Sequence, residues 1–306
     1  MTSHETVLIT GATAGIGKHT ALHLAKRGHR VIATGRNEKA LAELRAAGLE
    51  AVALDVTSTA SIEAARAEIE RLTGGRGVDV LVNNAGYGLF GPVEELSDAD
   101  VRKQFDTNVF GLLAVTRAFV PGMRARGWGR VVNVSSVGGR MVFPLGGVYH
   151  ATKYAVEALS DALRLELRQF GIRVSVIEPG YIATEFTSTT MSHLEKYVRD
   201  DSPYATAYRL VGDAEDRLAK LAVGPESVAR AIEHAATSRW SRARYVAPSY
   251  NAVGPWLMRV LPAWLTDWAF RRIAGLDGRP ALPVATTNEA VRTRAGEGPL
   301  AGSFAK

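Results

Sequence analysis

The amino-acid sequence predicts an α/β protein built on one doubly wound parallel β-sheet in a single domain. Two observations carry this. From residue 6 onward, short apolar runs of strand length alternate with longer stretches of helical periodicity, the pattern of a parallel sheet covered by helices on both faces. A glycine-punctuated turn, Thr10-Gly11-Ala12-Thr13-Ala14-Gly15-Ile16-Gly17, follows the first apolar run at once and leads into the first helical stretch. Neither an internal repeat nor a linker divides residues 1–250.

The first strand, 6–10, contains Thr6-Val7-Leu8-Ile9, and Ala21, Leu22, Leu24 and Ala25 mark the helix after it, 15–27. Further strands are expected at 30–34, 51–54, 78–83, 130–134, 173–177 and 244–246, with helices at 38–47, 59–72, 98–126, 149–170 and 225–237. Right-handed crossovers bring the carboxyl ends of the strands, with their loops, to one edge of the sheet. Ligands bind at that edge, where the strand order reverses. Two helices are apolar beyond one sheet-facing stripe: 98–126, with Phe105, Val109, Leu112, Leu113, Val115, Phe119, Val120 and Met123, and 149–170, with Ala155, Val156, Ala158, Leu159, Ala162, Leu163, Leu165 and Leu167. The excess predicts a second buried face, met either by an isologous dimer or by cover from elsewhere in the chain.

Segment 185–223 is polar and helical in pattern, an expected mobile lid. Residues 255–276 concentrate three of the five tryptophans, Trp256, Trp264 and Trp268, interspersed with Arg259, Arg271 and Arg272, as a helix pair split near Pro262. Packing over the site or against a second subunit is the expectation here, and contact with a membrane surface is the alternative. The catalytic unit thus spans 1–276. Residues 277–306 mix Gly, Pro, Thr and Ala without periodicity and are expected to form a disordered tail.

Composition fits a water-soluble enzyme: 306 residues, 46% of them hydrophobic, with a mean hydropathy of −0.02. The chain has no cysteine, which excludes disulfides, thiolate nucleophiles and zinc–thiolate centres, and no metal is expected. The short polar start leaves no room for a signal peptide, and no run of eighteen apolar residues occurs, so a cytoplasmic location is expected. A net charge of +6 and a pI near 9.6 suit anionic partners. Lys and Arg are scattered, without a basic run or an interleaved aromatic series, so a dinucleotide phosphate is expected and nucleic acid is not.

Chemistry concentrates in Val148-Tyr149-His150-Ala151-Thr152-Lys153. Residues four apart on a helix share a face, which sets the Tyr149 phenol beside the Lys153 ammonium. At an effective dielectric of about 20 and roughly 4 Å, the attraction favours the phenolate by ~4 kcal/mol. That is enough to bring a phenol towards neutrality before burial opposes it. A phenol so tuned exchanges a proton with a carbonyl or alcohol. In the glycine turn, Gly11 permits the tight bend, Gly15 lets the backbone approach a pyrophosphate, and Gly17 lets the helix pack on the strand. The second strand ends Ala33-Thr34-Gly35-Arg36-Asn37, without the acid that binds an unphosphorylated ribose. Arg36 instead pairs with a 2′-phosphate, so the expected cofactor is NADP(H).

Together these segments resemble the short-chain dehydrogenase/reductase family, over roughly residues 5–250 and with every motif in order. The resemblance implies a Rossmann-like fold. Residues 10–17, including Thr13 and Ile16, match its cofactor motif, Asn83-Asn84-Ala85-Gly86 the segment closing its fourth strand, and Asp55-Val56 its adenine contact. Pro179-Gly180, Ile182 and Thr184 match the turn beside the nicotinamide. Asn108, Ser136, Tyr149 and Lys153 match its catalytic positions. Ser135 competes with Ser136, and the choice of Ser136 rests on the family's usual spacing of thirteen residues before the tyrosine.

On that resemblance, Tyr149 is the proton donor in reduction, Ser136 hydrogen-bonds the substrate oxygen, Lys153 holds the nicotinamide ribose, and Asn108 anchors water on the proton path. The family also commonly pairs its two long helices into a dimer, so a homodimer or homotetramer is expected. The flanking loops are apolar: Tyr87, Leu89 and Phe90; Met141, Val142, Phe143, Pro144 and Leu145; then Tyr181, Ile182 and Phe186. They predict a bulky hydrophobic ketone, aldehyde or secondary alcohol as substrate, and hydroxysteroid and retinol dehydrogenases are the most similar family members. A nucleotide-sensing regulator of the same fold, or a membrane-peripheral scaffold resting on the tryptophan segment, are the alternatives.

Overall fold

The structure, a computed structural model, describes residues 5–219 and 222–278. Lys220 and Leu221 of the predicted lid, and the predicted tail from residue 279 onward, lie outside the described residues.

Strands β1 (Thr6–Ile9), β2 (Arg30–Gly35), β3 (Glu50–Ala53), β4 (Val80–Asn83), β5 (Gly129–Val134), β6 (Ile172–Pro179) and β7 (Arg244–Ala247) form one sheet in the order β3-β2-β1-β4-β5-β6-β7. Every pairing is parallel. The chain runs outward from β1 to β3, returns to β4 beside β1, and runs outward again, so strand order reverses between β1 and β4. Strand residues alternate between two cores, as a period of two demands. Val7, Ile9, Val31, Ala33, Val80 and Val82 pack on one face with Ala21, Leu24, Val228 and Ile232. Leu8, Ile32, Leu81 and Val131 pack on the other with Ile62, Ile69, Val115 and Phe119.

Helices α1 (Gly15–Lys26) and α9 (Glu226–Thr237) cover the first face. Helices α3 (Thr59–Leu72) and α5 (Leu112–Arg126) cover the second, and α2 (Glu38–Ala46) packs beside β3. All seven predicted strands and the helices paired with them are present, with ends displaced by a few residues at most. The long 98–126 helix is the exception. It divides into α4 (Asp98–Phe105), a π-helical turn Asp106–Gly111, and α5. The wider turn buries Asn108 at 2% exposure at the site, and such turns recur at functional positions.

Helix α6 (Gly147–Leu167) carries Tyr149 and Lys153. In the predicted lid stand α7 (Glu185–Leu194) and α8 (Ala205–Ala219), and after β7 come α10 (Val253–Val260) and α11 (Ala263–Ile273), separated at Pro262 as expected. Pro255 is the one buried residue of α10, and α11 has none, so the tryptophans face outward instead of into a core. Pro255, Ala274 and Leu276 seat the pair. Among the described residues no helix is long and apolar enough to cross a membrane.

Candidate active site

The carboxyl ends of β1 and β4 meet through hydrogen bonds that fix the glycine turn. Thr10 Oγ1 accepts from the backbone N–H of Asn84 and of Ala85, each at 3.0 Å, and Asn84 Nδ2 donates to the Thr10 and Gly11 carbonyls at 2.9 and 3.1 Å. Gly11 has φ +63°, and a Cβ there would lie 2.9 Å from Ala85 Cα. At Gly17 a Cβ would collide with the Gly11 carbonyl. Both glycines are therefore required by the seat of α1 against the loop. Thr13 packs against Gly35, where a Cβ would come within 2.5 Å of its Cγ2.

Helix α1 begins at Ala14 without a side-chain cap, whereas α2, α3 and α4 are capped by Asn37, Ser58 and Ser97. Its Gly15 N–H donates instead to Glu185 Oε2, 3.0 Å away at the start of α7. An anionic oxygen thus sits on the helix N-terminus that the sequence assigns to a pyrophosphate, and an anion suits that place. Thr184 lies alongside: a Cβ on Gly15 would be 3.4 Å from Thr184 Cβ. Ile16 is half-buried beside the first core, and Ile182, 6% exposed, belongs to that core and bridges to Val223. Gly180 donates its N–H to the Ala247 carbonyl, and a Cβ there would strike Asn251. Pro179 ends β6 opposite Ala247.

Arg36 follows β2 and is largely exposed, with Nη1 4.0 Å from Asp55 Oδ2. Burial alone raises the Asp55 carboxyl, but hydrogen bonds from Thr57 N and Oγ1, together with the Arg36 charge, hold it below the usual carboxylate range. Val56 walls the same corner, where a Cβ on Gly111 would approach its Cγ2 to 2.8 Å. The Asn83 side chain turns away from the edge, its Nδ2 donating to Thr116 Oγ1 and Asn133 Oδ1 at 2.9 Å. The Asn83 amide thus joins β4 to β5, and Asn84 clasps the glycine turn.

Asn108 accepts from Tyr87 N at 3.1 Å and donates to Tyr87 O and Thr152 Oγ1. A Cβ on Gly86 would lie 3.1 Å from Asn108 Oδ1 and 3.8 Å from Lys153 Nζ, so these three converge. Lys153, 6% exposed, donates to the Val134 carbonyl at 3.0 Å. Burial pushes its ammonium down to about 8, against the opposing charge of Glu157. The Tyr149 phenol also departs from expectation. The ammonium stands 5.8 Å from the ring centroid, and burial pushes the phenol up to about 12, although its hydrogen bond with Ser136 works the other way. Desolvation outweighs the ion–phenol attraction, and Tyr149 holds its proton at neutral pH.

The two serines diverge. Ser136 Oγ accepts from Gly138 N at 3.0 Å and faces Tyr149. Ser135 points at Glu157: a Cβ on Gly139 would lie 2.7 Å from Ser135 Oγ and 3.0 Å from Glu157 Cγ. Around the phenol stand Phe90 and Phe186, each 5.7 Å between ring centroids, and Phe143 packs at 4.2 Å on neighbouring His150. Leu89 and Leu145 are buried in scaffold clusters, so only part of the apolar loop set faces the site.

Glu157 and Glu185 escaped sequence reasoning. Glu157 lies one turn beyond Lys153 on the same face of α6, a readable spacing. Its buried carboxylate meets Arg244 Nε at 3.0 Å, and the same guanidinium reaches Glu178 at 3.4 Å and Asp161 at 2.6 Å. For Glu185 the signal was an acid directly after Thr184, in the turn assigned to the nicotinamide.

A profile of the short chain dehydrogenase family matches residues 5–195. The chain is 40% identical to human retinol dehydrogenase 16 over 275 residues, 85% of this chain and 86% of that protein. To human 17-beta-hydroxysteroid dehydrogenase type 1 it is 39% identical, covering 73% and 71%. Among solved structures, the closed form of a serine dehydrogenase complexed with NADP+ superimposes with a TM-score of 0.68 at 34% identity, covering 79% of this chain and 93% of that one.

Proposed function

The chain belongs to the short-chain dehydrogenase/reductase family, oxidoreductases that work with a nicotinamide cofactor, and from that premise we propose that it is an NADP(H)-dependent enzyme interconverting a bulky hydrophobic ketone or aldehyde and its alcohol. The observation that carries the reading is the convergence of Asn108 and Lys153 at Gly86, beside a Tyr149 phenol hydrogen-bonded to Ser136 and enclosed by Phe90 and Phe186. Retinol and hydroxysteroid dehydrogenases among the relatives support a hydrophobic substrate of that size.

The cofactor fits the edge described. The α1 N-terminus already receives a carboxylate oxygen, and no Cβ intrudes at Gly11 or Gly17. Gly11, Thr13, Gly15, Ile16 and Gly17 would hold the pyrophosphate, Asp55 and Val56 the adenine, and Ala85 and Gly86 the inner ribose with Tyr149 and Lys153. Pro179, Gly180, Ile182 and Thr184 would hold the carboxamide side. Arg36 supports the choice of NADP(H), because its guanidinium is free to pair bidentately with a 2′-phosphate, and the solved relative with NADP+ bound agrees with it.

When bound, the reduced cofactor supplies the hydride. Tyr149 gives its proton to the substrate oxygen, and Ser136 donates a hydrogen bond to the same oxygen as negative charge develops there. Lys153 keeps a positive charge beneath them, and Asn108 fixes the Gly86–Tyr87 loop against that charge. Phe90 and Phe186 exclude water from the transfer, and α7 with α8 closes over it as a lid. A cytoplasmic homodimer or homotetramer completes the proposal. Its support is the groove between α5 and α6, lined by Leu113, Val120, Leu159 and Leu163, with Leu165 69% exposed beside it.

The test is consumption of NADPH with a panel of steroid, retinoid and aryl ketones and aldehydes. Turnover on bulky members and neglect of short polar ones is expected. Absence of NADPH consumption across the panel, with NADPH still bound, would leave a nucleotide-binding protein without this activity.

A further inference from the structure

The pair α10–α11 turns a large aromatic surface outward. Trp256, Trp264 and Trp268 are 60%, 70% and 55% exposed, and Val253 and Val260 are likewise open. Their spacing is regular. Val253, Trp256 and Val260 recur at i, i+3 and i+7 on α10, and Trp264 and Trp268 at i and i+4 on α11, so each helix presents one stripe. The opposite side is anchored: Pro255 is buried, Gly254 rests near Met141, and Gly275 packs on Leu210 and Thr206 of α8. The tryptophans are thus held outward by a seated scaffold.

Cations border the stripes. Arg259 is exposed beside Trp256 and Val260, and Arg271 and Arg272 continue the Trp264–Trp268 face, with Arg271 3.8 Å from Asp277 and Asp267 the acid beside the stripe. Indole rings with guanidinium groups at their margin match the boundary between lipid headgroups and acyl chains, where Trp and Arg are both favoured. A second copy suits this surface less well. A two-fold contact on this surface would gather Arg259, Arg271 and Arg272 of both copies into one interface, and the α5–α6 groove already offers a copy an apolar face. The chain's net charge of +6 adds attraction to an anionic surface.

We propose that α10 and α11 form an interfacial foot that lays this protein on anionic membranes, with Trp256, Trp264 and Trp268 in the interface and Arg259, Arg271 and Arg272 on lipid phosphates. The foot is a lateral contact, with no span, and it stands apart from the redox reading.

The full chain is sedimented with vesicles of phosphatidylcholine containing phosphatidylglycerol, and with phosphatidylcholine alone. Co-sedimentation with the anionic vesicles is expected, accompanied by a blue shift of tryptophan emission. It weakens as salt rises and drops about tenfold or more when Trp256, Trp264 and Trp268 are all changed to Ala. The triple change Arg259→Gln, Arg271→Gln, Arg272→Gln is expected to remove the preference for anionic lipid while leaving thermal unfolding unchanged. The proposal is overturned if the chain stays in solution with both vesicle types, or if binding survives both triple changes. It is equally overturned if the tryptophan changes alter only the molar mass seen by light scattering, which would assign the surface to a second copy.

Discussion

Two walls flank Tyr149, and they are built by different means. The wall from β1, β2 and β4 is held by close approach to the backbone: the Thr10 and Asn84 side chains bond main-chain groups of the facing loop, and Gly11 and Gly17 sit where a Cβ has no room. The wall from α7, α8, α10 and α11 is held by side chains. Leu145 packs there on Leu194 and Tyr208, and the tryptophans stay in the open. Close backbone approach constrains residue identity, while contacts among apolar side chains accept many combinations. The first wall can therefore specify one cofactor tightly, and the second can drift in substrate and partner without loss of fold.

The comparison is tested most severely where the walls meet. Tyr149→Phe removes only the transferable proton, so kcat should fall roughly 10³–10⁴-fold with NADPH binding nearly unchanged. Retention of most of kcat would mean that neither wall directs the proton. Ser136→Ala should lose about 10²–10³ in rate, the scale of one oxyanion donor, and Ser135→Ala far less, because Ser135 faces Glu157. The reverse outcome assigns the role to Ser135.

On the first wall, Arg36→Ala should weaken NADPH by about 1.5–3 kcal/mol, read by titration, and leave NADH little affected. Equal losses for both cofactors would make Arg36 an adenine contact only.

What was legible in the sequence follows the same division. Gly11, Gly17 and the Tyr149–Lys153 spacing announce themselves because steric exclusion and helix period admit few residues. Seven strands were readable from apolar runs for the same reason. The π-helical turn at Asp106–Gly111 was not, since one extra residue in a helical turn leaves the apolar pattern almost unaltered. Nor was the protonated state of Tyr149, because a charge four residues away is visible in a sequence and the depth of burial is not. The Asn83 orientation depended on Asn133, fifty residues on, reached only through sheet pairing.

The buried charge under both walls yields a smaller effect. With Lys153 pushed down to about 8, kcat/KM for reduction should fall as pH rises through that value, while Tyr149, at about 12, stays protonated. Stability moves the opposite way. Between about 8 and the ordinary lysine value of 10.5 the unfolded chain holds a proton that the folded one has released, so this group makes folding more favourable as pH rises. Thermal unfolding of wild type compared with Lys153→Met across that window checks the sign. A flat kcat/KM through pH 8 would remove Lys153 from the reaction.

The smallest effect lies where the second wall touches the first. Glu185→Gln removes the carboxylate from the α1 N-terminus and should tighten NADP(H) about two- to fivefold, the 0.3–1 kcal/mol of a charge at a helix end. Weaker binding would show that Glu185 supports the cofactor instead of competing with it.

Arg244 sets a timetable for the molecule. Its guanidinium joins β7 to Glu157 of α6, 87 residues earlier, and to Glu178 of β6. Chains emerge from the ribosome amino end first. The helix bearing Tyr149 and Lys153 is thus synthesised long before the cation that faces its buried acid, and a nascent chain halted ahead of residue 244 holds every reactive group while Glu157 still waits for that partner.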